Sequence, residues 1–153
     1  MKSLEHKIPP PVVALLAALL MWWLRGFYPL SLLAGGTGRT LAMLSVAAGF
    51  MIAAVGVTAF RRAKTTVDPL HPDKASTIVD SGIFAYTRNP MYLGMTLVLL
   101  GVCFHLAELT AFLILALFIR FISRYQIQPE ERILLEKFGE PYQAYLDKVP
   151  RWI

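Results

Sequence analysis

The stretch TLAMLSVAAGFMIAAVGVTAF, residues 40–60, holds no charged residue and is bounded by Arg39 on one side and by Arg61 and Arg62 on the other. A helix that crosses the hydrocarbon core of a bilayer needs about 20 mostly apolar residues, and this run supplies them without help from its flanks. Further apolar runs lie at residues 11–24, 91–107 and 109–125. The runs at 11–24 and 91–107 need their flanks to reach across, so the expected spans are about 10–28, 40–60, 90–107 and 109–126. The predicted fold class is an all-α integral membrane protein with about four transmembrane helices, in a single domain over residues 1–153.

Composition points the same way. The chain of 153 residues is 56% hydrophobic and only 16% charged, which is too apolar for an ordinary soluble domain. Its one cysteine, Cys103, lies inside an apolar run, so neither a disulfide framework nor a thiolate metal site is expected. The net charge of +5 comes from basic residues at the edges of apolar runs. They form no stripe interleaved with aromatics, and orientation in a membrane explains them better than nucleic acid does. Lys2 and Lys7 before the first run suggest a secretory signal, but no small-residue cleavage site follows MWWLRGFYPL, residues 21–30. Trp22, Trp23, Phe27 and Tyr28 read instead as an aromatic belt.

The distribution of positive charge orients the spans. Loop 61–88 carries Arg61, Arg62, Lys64 and Lys74, and the C-terminal tail carries Arg132, Lys137, Lys148 and Arg151. Both segments are expected on the cytosolic side of the cytoplasmic membrane, with both termini there as well. Arg25 and Arg39 count against this scheme. Only LAEL, residues 106–109, separates the last two runs, so these form a tight hairpin with Glu108 at its far tip. The long loop contains His71 next to Pro72 and nothing that completes a metal site. His6 and His105 are equally solitary.

After the last run, QPEERILLEKFGEPYQAYLDKVPRWI, residues 128–153, changes character. Pro129, Glu130 and Glu131 mark a helix start, with proline in the first turn and acids at the positive end of the dipole. Leu134, Phe138, Tyr142, Tyr145 and Val149 share one face, and Gly139 to Pro141 divides the segment into two short helices. Residues 129–149 are therefore expected to form an amphipathic cytosolic cap, on the membrane surface or folded over the bundle.

The chemistry gathers where the cap meets the bundle. In YTRNPMYLG, residues 86–94, Asn89 before Pro90 reads as a helix start, with the Asn side chain accepting from an unpaired backbone N–H. The hairpin brings this start close to Arg120, Arg124, Glu130 and Glu131. A helix N-terminus and Arg88 suit an anion, and a glutamate suits an ammonium or sulfonium. The amino-acid end of S-adenosylmethionine has that charge layout. The same residues also fit a purely topological role, with Arg88 as an interfacial anchor, the glutamates as dipole partners and Tyr92 at the interface. Arg120 and Arg124 share a helix face, and either snorkel to the headgroups or hold a substrate anion.

RNPMYLG, residues 88–94, followed by EERILLEKFGEPYQAYLDKVPRW, residues 130–152, resembles the isoprenylcysteine carboxyl methyltransferase and phospholipid methyltransferase superfamily of integral membrane enzymes. The resemblance runs from near Thr65 to Trp152, and the first two spans match only in general character. It implies a compact, prokaryotic-type methyltransferase that uses S-adenosylmethionine on the cytosolic side. Cofactor contacts carried over from the family fall on Arg88, Asn89, Pro90, Tyr92, Gly94, Glu130 and Glu131, and a catalytic arginine falls on Arg124. Asn89 stands where histidine is usual; it keeps hydrogen-bonding ability but does not titrate near neutral pH.

Methyl transfer from a sulfonium needs alignment and a dry site rather than a protein nucleophile. A carboxylate acceptor is already ionised at neutral pH. An amine, with a solution pKa on the order of 10, must first lose a proton. With no dedicated base evident, the expectation leans toward a lipophilic carboxylate or thiol, such as a prenylcysteine-like group, over a phospholipid amine. The acceptor and membrane lipids are the only partners implied. The rival readings are an NADPH-dependent reductase of the sterol reductase type and a non-catalytic membrane subunit.

Overall fold

The computed structural model describes residues 7–65 and 71–153. Lys2, His6 and residues 66–70 of the long loop lie outside the described residues. The helices are α1 (Pro10–Trp23), α2 (Gly36–Arg62), α3 (Pro90–Leu106), α4 (Leu109–Ile122), α5 (Gln128–Phe138) and α6 (Glu140–Lys148). Short 3-10 turns occur at Ser31–Leu33, Pro72–Lys74 and Gly82–Ala85, and the described residues contain no β-strand.

Two helical stretches are long and apolar enough to cross a membrane: α2, and the continuous path Leu109–Phe138 that joins α4 to α5. Within that path the apolar part is α4, whereas α5 carries Glu130, Glu131, Arg132, Glu136 and Lys137. The apolar helices α1 and α3 are shorter, at 14 and 17 residues. The helix expected over 10–28 stops at Trp23, because Gly26 takes a φ of +98° and turns the chain.

Small residues set the closest helix contact. A Cβ on Gly94 of α3 would lie 2.6 Å from the carbonyl oxygen of Gly49 on α2, and one on Gly101 would lie 2.6 Å from Val46 Cγ2. Only a bare Cα permits this approach, which is how helices associate where burial from water gives no drive. On the other side α1 packs against α3 and α4, burying Met21, Leu99, Cys103, Ala111, Ile122 and Ile127.

The tip between α3 and α4 is as tight as expected, with Ala107 left-handed at φ 53°. Its Glu108 is buried, and its carboxylate accepts from Gly26 N at 2.7 Å and Tyr28 N at 3.0 Å. Two backbone hydrogen bonds, Leu30 N to Ala107 O and Leu109 N to Tyr28 O, complete the clasp between this tip and the α1–α2 connection.

Pro129 does not begin a separate helix, as its sequence setting suggests. The helical path reaches it from α4 through a π turn at Ser123–Ile127, where Gln128 N–H donates to Ser123 O. A proline inside a helix lacks the N–H for the i−4 carbonyl and crowds it, and a widened turn just before the ring accommodates both defects. Buried Gln126 in this turn donates its Nε2 to Ile8 O at 2.9 Å, fastening the start of α1. Past α5, Gly139 takes a φ of +62° and α6 turns back. The apolar faces of the two helices enclose Tyr142, Tyr145 and Val149 with Leu134, Phe138 and Ile78 of the loop.

Candidate active site

The first turn of α3 and the first turn of α5 face each other across a cavity of about 260 Å³. Its polar lining includes Arg88, Asn89, Tyr92, Glu130 and Glu131, together with Thr77, Tyr142 and Tyr145, and its apolar walls include Pro10 of α1, Val57 and Phe60 of α2, and Leu134 of α5. Hairpin geometry explains the convergence, since α3 and α4 run antiparallel and α5 continues α4.

The two adjacent glutamates are partnered unequally. Glu131 forms an ion pair with Arg88 Nη2 at 3.2 Å and accepts from Arg151 Nε at 3.1 Å and from Arg151 Nη2 at 2.6 Å. The fork of Arg151 thus meets both carboxylate oxygens, a bidentate pair of the strong kind. The hydrogen bond to Glu131 raises the Arg151 pKa further. Glu130 instead accepts from the phenol of Tyr92, Oη to Oε2, at 3.2 Å. Burial pushes Glu130 from 4.5 up to about 7; the Tyr92 hydrogen bond opposes that shift and the charge of Glu131 adds to it. Burial likewise raises Tyr142 and Tyr145, and the hydroxyl of Tyr145 donates to Phe84 O at 2.8 Å.

The donors of Arg88 are only partly used. Its Nη1 donates to Leu146 O at 3.3 Å and its Nη2 pairs with Glu131, while its buried Nε has no partner among the described residues. The C-terminal segment runs beside this residue. Arg88 N donates to Pro150 O at 3.1 Å, Asn89 Nδ2 donates to Arg151 O at 2.8 Å, and Trp152 Nε1 donates to Ser123 Oγ at 3.3 Å in the π turn.

Asn89 occupies the N-cap position of α3, with Pro90 in its first turn, but its side chain makes no capping hydrogen bond. The side chain is turned to the tail instead, where its Nδ2 donates to Arg151 O. Arg88, Asn89, Pro90, Tyr92, Glu130 and Glu131 all line the cavity. Gly94 and Arg124 do not. Gly94 is spent on the α2–α3 contact, and Arg124 is exposed on the π turn with its Nη1 on Gln128 Oε1 at 2.9 Å. Arg120 is also exposed, and so is His71 beside the Pro72–Lys74 turn. Arg151 is the residue that sequence reasoning missed; it reads there as one more positive charge of the tail. Among the described residues no group of three or more His, Cys, Asp or Glu could hold a metal ion.

These features define a helical protein of membrane character with a part-polar ligand cavity at one end of its hairpin. Residues 37–141 match the family model for phospholipid methyltransferases, and the chain belongs to that family. The match takes in α2, which the sequence resemblance, specific only from near Thr65, met in general character alone. A protein-S-isoprenylcysteine O-methyltransferase of Schizosaccharomyces pombe is 35% identical over 82 residues, which is 53% of this chain and 34% of that protein. The chain therefore spans about a third of the length of this relative. An uncharacterized protein of Haemophilus influenzae is 41% identical over 63 residues, 41% of this chain and the whole of that protein. No solved structure matches significantly.

Proposed function

We propose that the protein is an S-adenosylmethionine-dependent methyltransferase acting on a lipophilic acceptor. In this reading α1 to α4 lie in the cytoplasmic membrane, with both termini and the cavity on the cytosolic side. The observation that carries it is the unequal pairing of the glutamates beside an arginine whose donors are only partly used. Glu131 is paired with Arg88 and Arg151, which leaves Glu130 to face a cation and the guanidinium of Arg88, which lines the cavity, to meet an anion. An amino-acid group beside a sulfonium presents that combination, so the residues present fit the cofactor.

Arg88, Asn89, Tyr92 and Glu130 would hold S-adenosylmethionine, and Glu131 would fix Arg88. When bound, the cofactor supplies a methyl group already activated on sulfur. The chain contributes orientation and exclusion of water, through the apolar walls from α1, α2 and α5. Arg124, next to the junction of α4 and α5, would take the anionic group of the acceptor from outside the cavity.

A carboxylate acceptor needs only that positioning. Glu130 supports a second reading, a phospholipid amine. A carboxyl group whose pKa lies at about 7 can take the proton that an ammonium must shed before it attacks. Membranes containing the protein, incubated with labelled S-adenosylmethionine and extracted, should yield one labelled lipid class, whose chemistry decides between acid and amine. Absence of label together with absence of saturable cofactor binding would overturn the proposal. Binding of NADPH instead would make the protein a reductase, and binding of neither a non-catalytic subunit.

A further inference from the structure

The far end of the α2–α3 pair carries a second cavity. The close approach at Gly101, where a Cβ would meet Val46 Cγ2 and Ala42 O, holds the helices together below their small side chains. What remains between them is an open groove of about 440 Å³, floored by Ala42, Val46, Ala47 and Gly101. Arg39, in the first turn of α2, and His105, in the last turn of α3, both border it. Because the two helices are antiparallel, these residues share the end remote from Tyr92 and Glu130.

Arg39 and His105 are exposed, and neither side chain has a hydrogen-bond or ion-pair partner among the described residues. Loose structure at this end does not explain that. The neighbouring Glu108 carboxylate is satisfied by two backbone N–H groups, and the 26–30 connection is tied to the α3–α4 tip. Arg39 also runs against the charge asymmetry that orients the spans, since it lies opposite the basic loop after α2. An apolar trough ending in two unpartnered nitrogen-bearing side chains complements an amphiphile with an anionic head.

We propose that this groove is a binding site for a bilayer phospholipid of net negative charge, with one acyl chain along Ala47 and Gly101 and its phosphate held by Arg39 and His105. The proposal rests on the reading of α2 and α3 as membrane spans, and is independent of the methyl-transfer chemistry. It makes Arg39 part of a lipid site rather than an exception to topology.

Two measurements test it and the membrane reading separately. The protein is first reconstituted into vesicles of equal phosphatidylglycerol and phosphatidylcholine, where flotation reports insertion. Native mass spectrometry of the detergent-purified chain with each lipid then reports the retained adduct. One phosphatidylglycerol is expected to be retained about fivefold better than phosphatidylcholine, the preference that one basic residue gives at a charged surface. Arg39→Gln with His105→Gln should abolish the preference, and Ala47→Phe, which fills the exposed groove, should reduce retention of both lipids. Failure to insert overturns both readings. Insertion without a lipid preference, or a preference that survives the double substitution, overturns the lipid site alone.

Discussion

Tyr92 donates its phenolic hydrogen to Glu130 across 3.2 Å, joining the first turn of α3 to the first turn of α5. This bond is uncharged on the donor side, and that separates Glu130 from its neighbour Glu131, which meets two guanidinium groups. Burial therefore dominates at Glu130 and full ion pairing at Glu131. One carboxylate keeps its proton to about pH 7, and the other is paired with two arginines.

Stability should carry the mark of Glu130. Its pKa is about 7 in the folded chain against 4.5 for the free group, so the folded state holds the proton more tightly. That contribution is complete below 4.5 and is lost as pH rises through about 7. Thermal unfolding of detergent-purified protein should show the wild type losing stability relative to Glu130→Gln across this window. Parallel curves for the two proteins would show that Glu130 is an ordinary, solvated carboxylate.

Cofactor affinity should depend on the pair that positions Arg88. Glu131→Ala and Arg88→Ala should each weaken S-adenosylmethionine binding by roughly tenfold or more, the loss of one charged hydrogen bond. Calorimetric titration of inserted, helical protein is the measurement. Unchanged affinity in both variants would remove these residues from the cofactor site.

Arg124 lies outside the cavity, so its role should separate from cofactor binding. Arg124→Ala is expected to lower the rate of methyl transfer by about tenfold or more while leaving cofactor affinity within about twofold. A variant that loses cofactor affinity alone would place Arg124 in the wrong role.

Gly94 should act through packing. The Cβ of Gly94→Ala would lie 2.6 Å from the Gly49 oxygen and 2.8 Å from Ala53 Cβ, forcing α2 and α3 apart. The expected penalty is about 1–3 kcal/mol of stability, the usual range for overpacking. A thermal midpoint equal to that of the wild type would show that the contact yields without strain. The same variant separates packing from ligand contact: affinity per folded molecule should stay unchanged if Gly94 only packs.

Residue types and hairpin connectivity made much of the site legible. Arg88, Tyr92, Glu130 and Glu131 carry charge or a polar handle at the ends of apolar runs, and a tight tip forces those ends together. Arg151 was not legible because a basic residue near a terminus looks the same whether it faces water or a buried glutamate. Asn89 was legible as a helix boundary but not as a donor to Arg151 O, since that bond depends on where the tail runs. Glu108 was placed at the right turn, yet its two backbone donors come from residues 26 and 28, far away in sequence. The first apolar run was read as ending at Leu24, close to the observed end of α1, and its extension to residue 28 rested on the length of a span; the left-handed Gly26 shows that the flank turns instead of continuing the helix.

The π turn before Pro129 has a consequence for how the cavity tolerates change. A π turn takes one residue more than an α turn over nearly the same rotation, so a residue lost between Ser123 and Ile127 could be absorbed by reversion to a regular turn, whereas one removed from the regular helix α4 would swing α5 by about 100°. Every charged group would survive, but Glu130 and Glu131 would rotate off the cavity, a loss that cofactor affinity would report. The acidic wall is thus encoded as a phase as much as a composition: a length change within α4 would be felt where many substitutions along it would not.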